Sequence, residues 1–280
     1  MDLSRVKTVL IVAFLGLNIF LGYKLWLVPQ TLRQASVLTR EQMEQTAELL
    51  AEHGFELEVP LPKQIPRLAL LHVSRQQLED ASWVYNFLGE QVPNVQYADG
   101  KTVYTVGAAS LEVADNGHIV YKSGLQGTGG ENSRALAERQ LREWDLWQHN
   151  MKLDLAVPWG QNGYRYRFVQ TYQSFPLFFS DVEVFLRDGV LQELHLNQAS
   201  AHGFGDKEVT VISAQTAIET FVREAPALNK KSIIDISLGY YSLNYDAERW
   251  ESAPVWRIAT ADGTSFYINA FTGEAEKSAL

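Results

Sequence analysis

The chain has 280 residues, 46% of them hydrophobic and 20% charged, a composition that builds a buried core. Its 24 Lys and Arg against 33 Asp and Glu leave a formal net charge of -9, so a phosphate backbone is repelled and no nucleic-acid partner is expected. Cysteine is absent, which excludes disulfides, thiolate nucleophiles, thiolate-bound zinc and iron–sulfur clusters, and suits an oxidising compartment.

The first element is TVLIVAFLGLNIFLGYKLWLV, Thr8 to Val28, with Lys24 as its only charge. At about 1.5 Å per residue it reaches roughly 31 Å, the thickness of a bilayer core. Tyr23, Lys24 and Trp26 suit the interface, and Pro29 closes the helix. The exit is bulky and offers no small-residue cleavage site, so an uncleaved transmembrane signal anchor is expected. The expected layout is a cytoplasmic tail at 1–7, a single pass through the cell membrane at 8–28 and a linker at 29–38. Residues 29–280 are then extracytoplasmic. Phe14, Asn18 and Gly22 are spaced four apart and share one helix face. An amide in hydrocarbon is costly without a partner, and glycine admits a second backbone, so this face is the candidate partner-binding site. The alternative, Asn18 bonding its own helix carbonyl, stays open.

Beyond the linker, Thr39 with Gln42 makes a capping box, Met43, Ala47 and Leu50 form an apolar stripe, and Gly54 stops the helix. Ser74 with Gln77 opens a second helix with Leu78, Ala81, Tyr85 and Leu88 on its inner face, ended by Gly89. FELEV and LALLHV between them read as strands. Two hairpins follow, turning at Asp99-Gly100 and Asn116-Gly117. Next comes a helix presenting Ala137, Leu141 and Trp144, then the strands GYRYRFVQTYQ, PLFFSDVEVFLR and VLQELHLN, with a turn at Asp188-Gly189. A last helix presents Ala214, Ala217, Ile218, Phe221 and Val222. It precedes IIDISLGYYSLNY, PVWRIAT and SFYINAF, with a turn at Asp262-Gly263. A helix plus a three-stranded antiparallel meander thus recurs at 133–199 and 209–280. The predicted fold class is α+β, with one extracellular unit at 39–199 and a second at 200–280.

Reactive motifs are scarce. The run GLQGTGGEN, Gly124 to Asn132, lacks the Gly-Lys-Ser/Thr ending and the G-x-G-x-x-G spacing of phosphate loops, and reads as a flexible connection. The six histidines form neither H-x-H nor H-E-x-x-H, there is no G-x-S-x-G, and no carboxylate pair stands out. Tyr164, Tyr166, Phe168 and Tyr172 share one strand face, with Arg165 and Arg167 on the other; core packing is the expectation, a ligand groove the alternative. No catalytic, cofactor-binding or metal-binding residue is predicted, and no cofactor.

The opening MDLSRVKTVLIVAFLGLNIFLGYKLW, the middle stretch YRFVQTYQSFPLFFSDVEVFLRDGVL and the ending PVWRIATADGTSFYINAFTGEAE resemble the YycI family, and INAFTGE resembles the closing hairpin of PepSY-type modules. The resemblance implies a non-enzymatic, bitopic protein of Gram-positive bacteria. It would work with a YycH-like protein on the WalK (YycG) sensor histidine kinase of the WalKR system, which controls cell-wall metabolism. In that family the anchor helices contact the kinase's transmembrane region; assigning that contact to Phe14, Asn18 and Gly22 is an inference from the polar face. A tethered binding module for a peptide or cell-wall fragment is the alternative function, and a hydrolase with an unrecognised carboxylate pair a third.

Overall fold

The computed structural model describes residues 7, 14–18, 36–76, 82–127, 129–224, 231–243 and 247–276. Residues 14–18 are helical, while the rest of the proposed anchor, Gly22 included, lies outside the described residues. Among the described residues no helix is long and apolar enough to cross a membrane.

The described body is mixed α+β and mostly sheet. In chain order it opens with β1 (Ser36–Val37), helix α1 (Arg40–Glu52), β2 (Phe55–Leu57), β3 (Gln64–Ile65), β4 (Arg67–Leu68), β5 (Leu71–Arg75) and helix α2 (Ser82–Leu88). The meander β6 (Asn94–Ala98), β7 (Lys101–Val106), β8 (Ala109–Ala114) and β9 (Ile119–Lys122) leads to helix α3 (Arg134–Glu143). Then come β10 (Met151–Pro158), β11 (Gly163–Tyr172), β12 (Phe175–Arg187), β13 (Val190–Asn197), β14 (Ala199–Phe204) and β15 (Val209–Thr210). Helix α4 (Ala214–Glu224), β16 (Lys231–Tyr241), β17 (Arg249–Thr260), β18 (Ser265–Asn269) and β19 (Ala275–Glu276) complete it.

The first unit is an antiparallel sheet in the order β10-β11-β12-β13-β9-β8-β7-β6. Helices α2 and α3 cover one face, because Val84, Phe87, Ala137 and Leu141 bury against Leu111, Ile119, Phe168, Val182 and Leu194. In the second unit β17 pairs with β16 along one edge and with β18 and β5 along the other. There Leu50 of α1 and Ala217, Ile218 and Phe221 of α4 cover Ile233, Trp256, Ile258 and Ile268. Phe221 wedges between Phe55 and Phe266, with both ring centroids 4.9 Å away.

Several expectations meet the structure differently. Segment 39–75, placed by sequence in the first unit, packs on the second: β2 runs parallel beside β16, and β5 lies between β17 and β14. The covered face of the first sheet is already filled by α2 and α3, whereas Leu38, Leu50, Phe55 and Leu68 complete the core around α4. The first helix-plus-meander has an additional strand, β10, whose alternation MKLDLAV was not assigned. In α1 the capping box forms, with Thr39 N donating to Gln42 Oε1 (2.9 Å), but Ala47 is exposed and Thr46 buried instead. Ser74 lies in β5; Leu78 and Ala81 fall outside the described residues, and Tyr85 is exposed while Val84 and Phe87 face inward.

The glycine-rich run is a packing surface. A Cβ on Gly127 would sit 2.4 Å from Cβ of Asp188, and one on Gly130 2.9 Å from Cα of Gly189. Gly130 N donates to Asp188 O (3.0 Å), and Asn132 Oδ1 accepts from Gly189 N (2.8 Å). The glycines there admit the β12–β13 turn at backbone distance.

The units join where β12 and β16 run parallel at Leu177 and Tyr240. Gly239 makes this approach feasible, since a Cβ there would lie 2.5 Å from Pro176 O and 2.6 Å from Phe178 Cε2. Gly239→Val is expected to cost about 1–3 kcal/mol of stability through overpacking, read by chemical denaturation. Unchanged stability would show that the seam yields freely.

Candidate functional site

The faces of the two sheets that carry no helices meet each other, and buried charge shares the contact with Phe178, Val255 and Tyr267. On β11, Tyr166 and Phe168 point into the helix-covered core and Arg165 and Arg167 point the other way. On β17, Trp256 and Ile258 join their core while Arg257 faces the first sheet. Arg167 Nε donates to Asp181 Oδ2 (2.6 Å), Nη2 to Phe178 O (2.7 Å) and Nη1 to the Tyr267 hydroxyl (3.2 Å). Arg257 Nη1 bonds Asp154 Oδ2, Nη2 donates to Asp235 Oδ2 (2.8 Å), and the guanidinium lies 4.4 Å from the Phe178 ring centroid. Arg165 Nη2 reaches Gly263 O (2.9 Å) across the same seam. The Arg257 and Asp154 side chains are 2% and 3% exposed, so this is an interior ion pair.

Local irregularities aim these groups. The β10–β11 register slips between Leu153 and Leu155, which turns Asp154 toward Arg257. The β16–β17 register slips between Ile233 and Asp235. A bulge in each strand re-aims one carboxylate onto the same guanidinium. Burial disfavours the charged guanidinium of Arg257, but Asp154 and Asp235 outweigh it and hold the proton more firmly than usual. The same balance, with Asp181 as the largest favourable partner, keeps Arg167 charged. Glu183 is the weak member: burial first, then Asp181, raise its carboxyl above the usual range, and Arg167 and Arg165 offset this only in part.

The network ends at a cleft of about 460 Å³ between the units, lined by Arg75, Asn116, His118, Asn197, Tyr241 and Trp250 among others. Asn197 connects the two: its Oδ1 lies 2.8 Å from His118 Nδ1 and its Nδ2 donates to Asp181 Oδ1 (3.0 Å). Tyr241 stacks on Tyr267 at 3.8 Å and 6°. Burial, with Tyr267 beside it, pushes the Tyr241 hydroxyl up to about 12, so it stays a neutral donor. The cleft therefore reaches Arg167 by two routes, one through Asn197 and Asp181 and one through stacked tyrosines.

Other candidates separate in space. Phe14 and Asn18 are exposed on one helical turn, with Gly22 outside the described residues. The ring of His195 meets His118 at 5.8 Å, and His202 lies 2.6 Å from Ser74 Oγ. That Ser–His pair does not make a triad, because the neighbouring Glu251 pairs with His72. Among the described residues no group of three His, Cys, Asp or Glu is placed to hold a metal. Of the aromatic stripe, Tyr166 and Phe168 are core and Tyr164 is partly exposed. Tyr172 turns toward Phe204 (5.3 Å) beyond the irregular register after Val169. Sequence reasoning missed the ion network. Its signal was one charge set in a short, mostly apolar stretch of each of five strands: LDL, YRFV, FSDV, IIDI and VWRI.

The fold and site define a mixed α+β body whose two sheets are locked by buried charge, with a ligand-sized cleft and no reactive constellation among the described residues. The family model for the YycI protein matches residues 33–271, and the chain belongs to the YycI family. No curated protein matches it significantly. Among solved structures, a crystal structure of an uncharacterized protein from Eubacterium rectale is similar at a TM-score of 0.50 and 9% identity, covering 84% of this chain and 98% of that one. The C-terminal domain of Bacillus megaterium YpeB is similar at a TM-score of 0.36 and 15% identity, covering 72% and 97%.

Removing one partner of a buried pair strands the other. Arg257→Met is expected to cost about 3–5 kcal/mol, and adding Asp154→Leu to recover most of it; equal losses in single and double variants would remove the pair from the account. The raised Glu183 carboxyl gives a second test. Its folded range lies above its unfolded one, so its contribution is fully present below about pH 4 and is lost as pH rises through the folded value. Glu183→Gln should therefore stabilise the protein at neutral pH, with the gain vanishing in acid denaturation series near pH 4. A loss of stability at neutral pH would reverse the assignment.

Proposed function

We propose that this chain is a non-enzymatic, single-pass membrane regulator of a WalK-type (YycG) sensor histidine kinase, acting together with a YycH-like protein. Membership in the YycI family carries this reading, and that family is a regulatory one. The apolar run Thr8–Val28 supplies the bilayer anchor, with residues 1–7 cytoplasmic and residues 29–280 extracytoplasmic. Phe14, Asn18 and Gly22 supply the face that meets the kinase helices. α4 with β16, β17 and β18 is the PepSY-like module of the body. Regulation then consists in biasing two kinase conformations through differential contacts in each.

A second reading is supported by the cleft between the units: a tethered binding module for a peptide or cell-wall fragment. Its amide, imidazole and indole lining suits a polar, hydrogen-bonding ligand, and its volume falls in the range of small-molecule sites.

Both readings are tested by recovering the full-length protein from native membranes in mild detergent, beside a version with residues 8–28 replaced by an unrelated Leu/Ala helix. The regulator reading expects a sensor kinase and a YycH-like protein with the native anchor and at least a tenfold loss of kinase with the replacement. Equal recovery by both versions would transfer recognition to the body, and recovery of no kinase by either would end the regulatory reading.

A further inference from the structure

We propose that β6 is a homodimer seam, at which two copies of this chain join their first sheets edge to edge into one continuous antiparallel sheet. Among the described residues β6 pairs only with β7, so its outer edge carries open backbone groups. Edge strands that stay monomeric usually carry charge, bulges or cover. The strand Asn-Val-Gln-Tyr-Ala has no charged side chain, pairs with β7 in unbroken register, and is exposed along its whole length. Val95 and Tyr97 lie opposite Tyr104 and Thr102, continuing the row that runs through Leu111 and Val113 into the core. Yet they are 53% and 69% exposed, and the neighbouring Val92 is 91% exposed. The apolar face of the sheet thus runs on to its open edge.

The backbone itself points to a second copy as the occupant. Asp99 and Gly100 both have positive φ, 53° and 70°, a two-residue type I′ turn closed by the pair Ala98 and Lys101. The closing pair of such a hairpin exchanges its hydrogen bonds, so Ala98, Gln96 and Asn94 spend theirs on β7, and Val95 and Tyr97 direct their N–H and C=O outward. A two-fold pairing centred on Gln96 sets Val95 against Tyr97 of the other copy, twice, and joins every one of these outward groups in four hydrogen bonds. Each pair also sets an aromatic ring against a β-branched side chain, a favourable cross-strand combination. The neighbouring registers are worse. Centring on Val95 sets Tyr97 against Pro93, which has no N–H, and centring on Tyr97 sets Val95 against Asp99, whose backbone is already in the turn. The strand is thus self-complementary in one register, as an isologous two-fold interface requires.

The chain has no cysteine, so one introduced thiol reports the register. Gln96 faces its own copy across a non-hydrogen-bonded pair, at a Cα separation of about 4.5 Å that a disulfide spans. Two Asn94 residues would stand four positions apart along the strand, about 13 Å, too far for one. In full-length protein in membrane vesicles under mild oxidation, Gln96→Cys is expected to give a disulfide dimer at least tenfold more abundantly than Asn94→Cys. Adding Val95→Lys, a substitution at a half-exposed position, should cut that yield at least tenfold while the melting temperature holds. Equal cross-linking at positions 96 and 94, cross-linking of Gln96→Cys only to a different protein, or no response to Val95→Lys would each overturn the proposal.

Discussion

Two arginines buried between two sheets set the terms for the rest of this fold. A guanidinium withdrawn from water costs several kcal/mol unless its donors are met, so Arg167 and Arg257 dictate what surrounds them. Arg167 spends its fork on Asp181, the Phe178 carbonyl and the Tyr267 hydroxyl, so one side chain ties β11, β12 and β18 together. Arg257 spends its own on Asp154 and Asp235, from β10 and β16. An apolar contact tolerates sliding, because dispersion has little direction. A set of forked ion pairs does not, because a small displacement strands a charge. The seam therefore fixes the mutual orientation of the units more sharply than it stabilises them.

That demand explains irregularities that would otherwise look like defects. The slips near Asp154 and Asp235 interrupt regular ladders, and each delivers a carboxylate to the same arginine. Gly239 removes a side chain where β16 meets Pro176 and Phe178, which brings the strands close enough for the forks to reach. Backbone regularity is given up at the places where side-chain geometry must be met.

Much of this was legible in the sequence and some was not. Capping at Thr39 and Gln42, the buried face of Ala137 and Leu141, and the Asp-Gly turns are local, since their physics acts over four residues or fewer. The α+β class follows from the same local periodicities. Strand order was beyond reach, because β9 beside β13 and β5 beside β17 are pairings that no short window encodes. For the same reason the opening segment was placed with its sequence neighbours, while its apolar residues belonged to α4. The site was half visible: Arg165 and Arg167 could be read as the opposite face from Tyr166 and Phe168. Their distant partners could not, since Gly263 and Tyr267 stand about a hundred residues further on. The glycine run was misread because the backbone it accommodates, at Asp188 and Gly189, is distant in sequence.

The placement of the cleft bears on how such a body transmits anything. A signal needs an element with two discrete arrangements, and a buried lattice of forked ion pairs is a poor candidate for the moving part. It is a good candidate for a lever. His118 and Asn197 line the cleft, and Asn197 is bonded to the carboxylate that holds Arg167. A ligand that competes for the Asn197 amide acts on Asp181, and through it on a charge that cannot go unpaired. Glu183 bears on the same seam, since burial first and Asp181 second raise its carboxyl above the usual range. Under the binding-module reading, rigidity inside each unit, combined with one costly contact between them, would turn local binding into a displacement of one unit against the other.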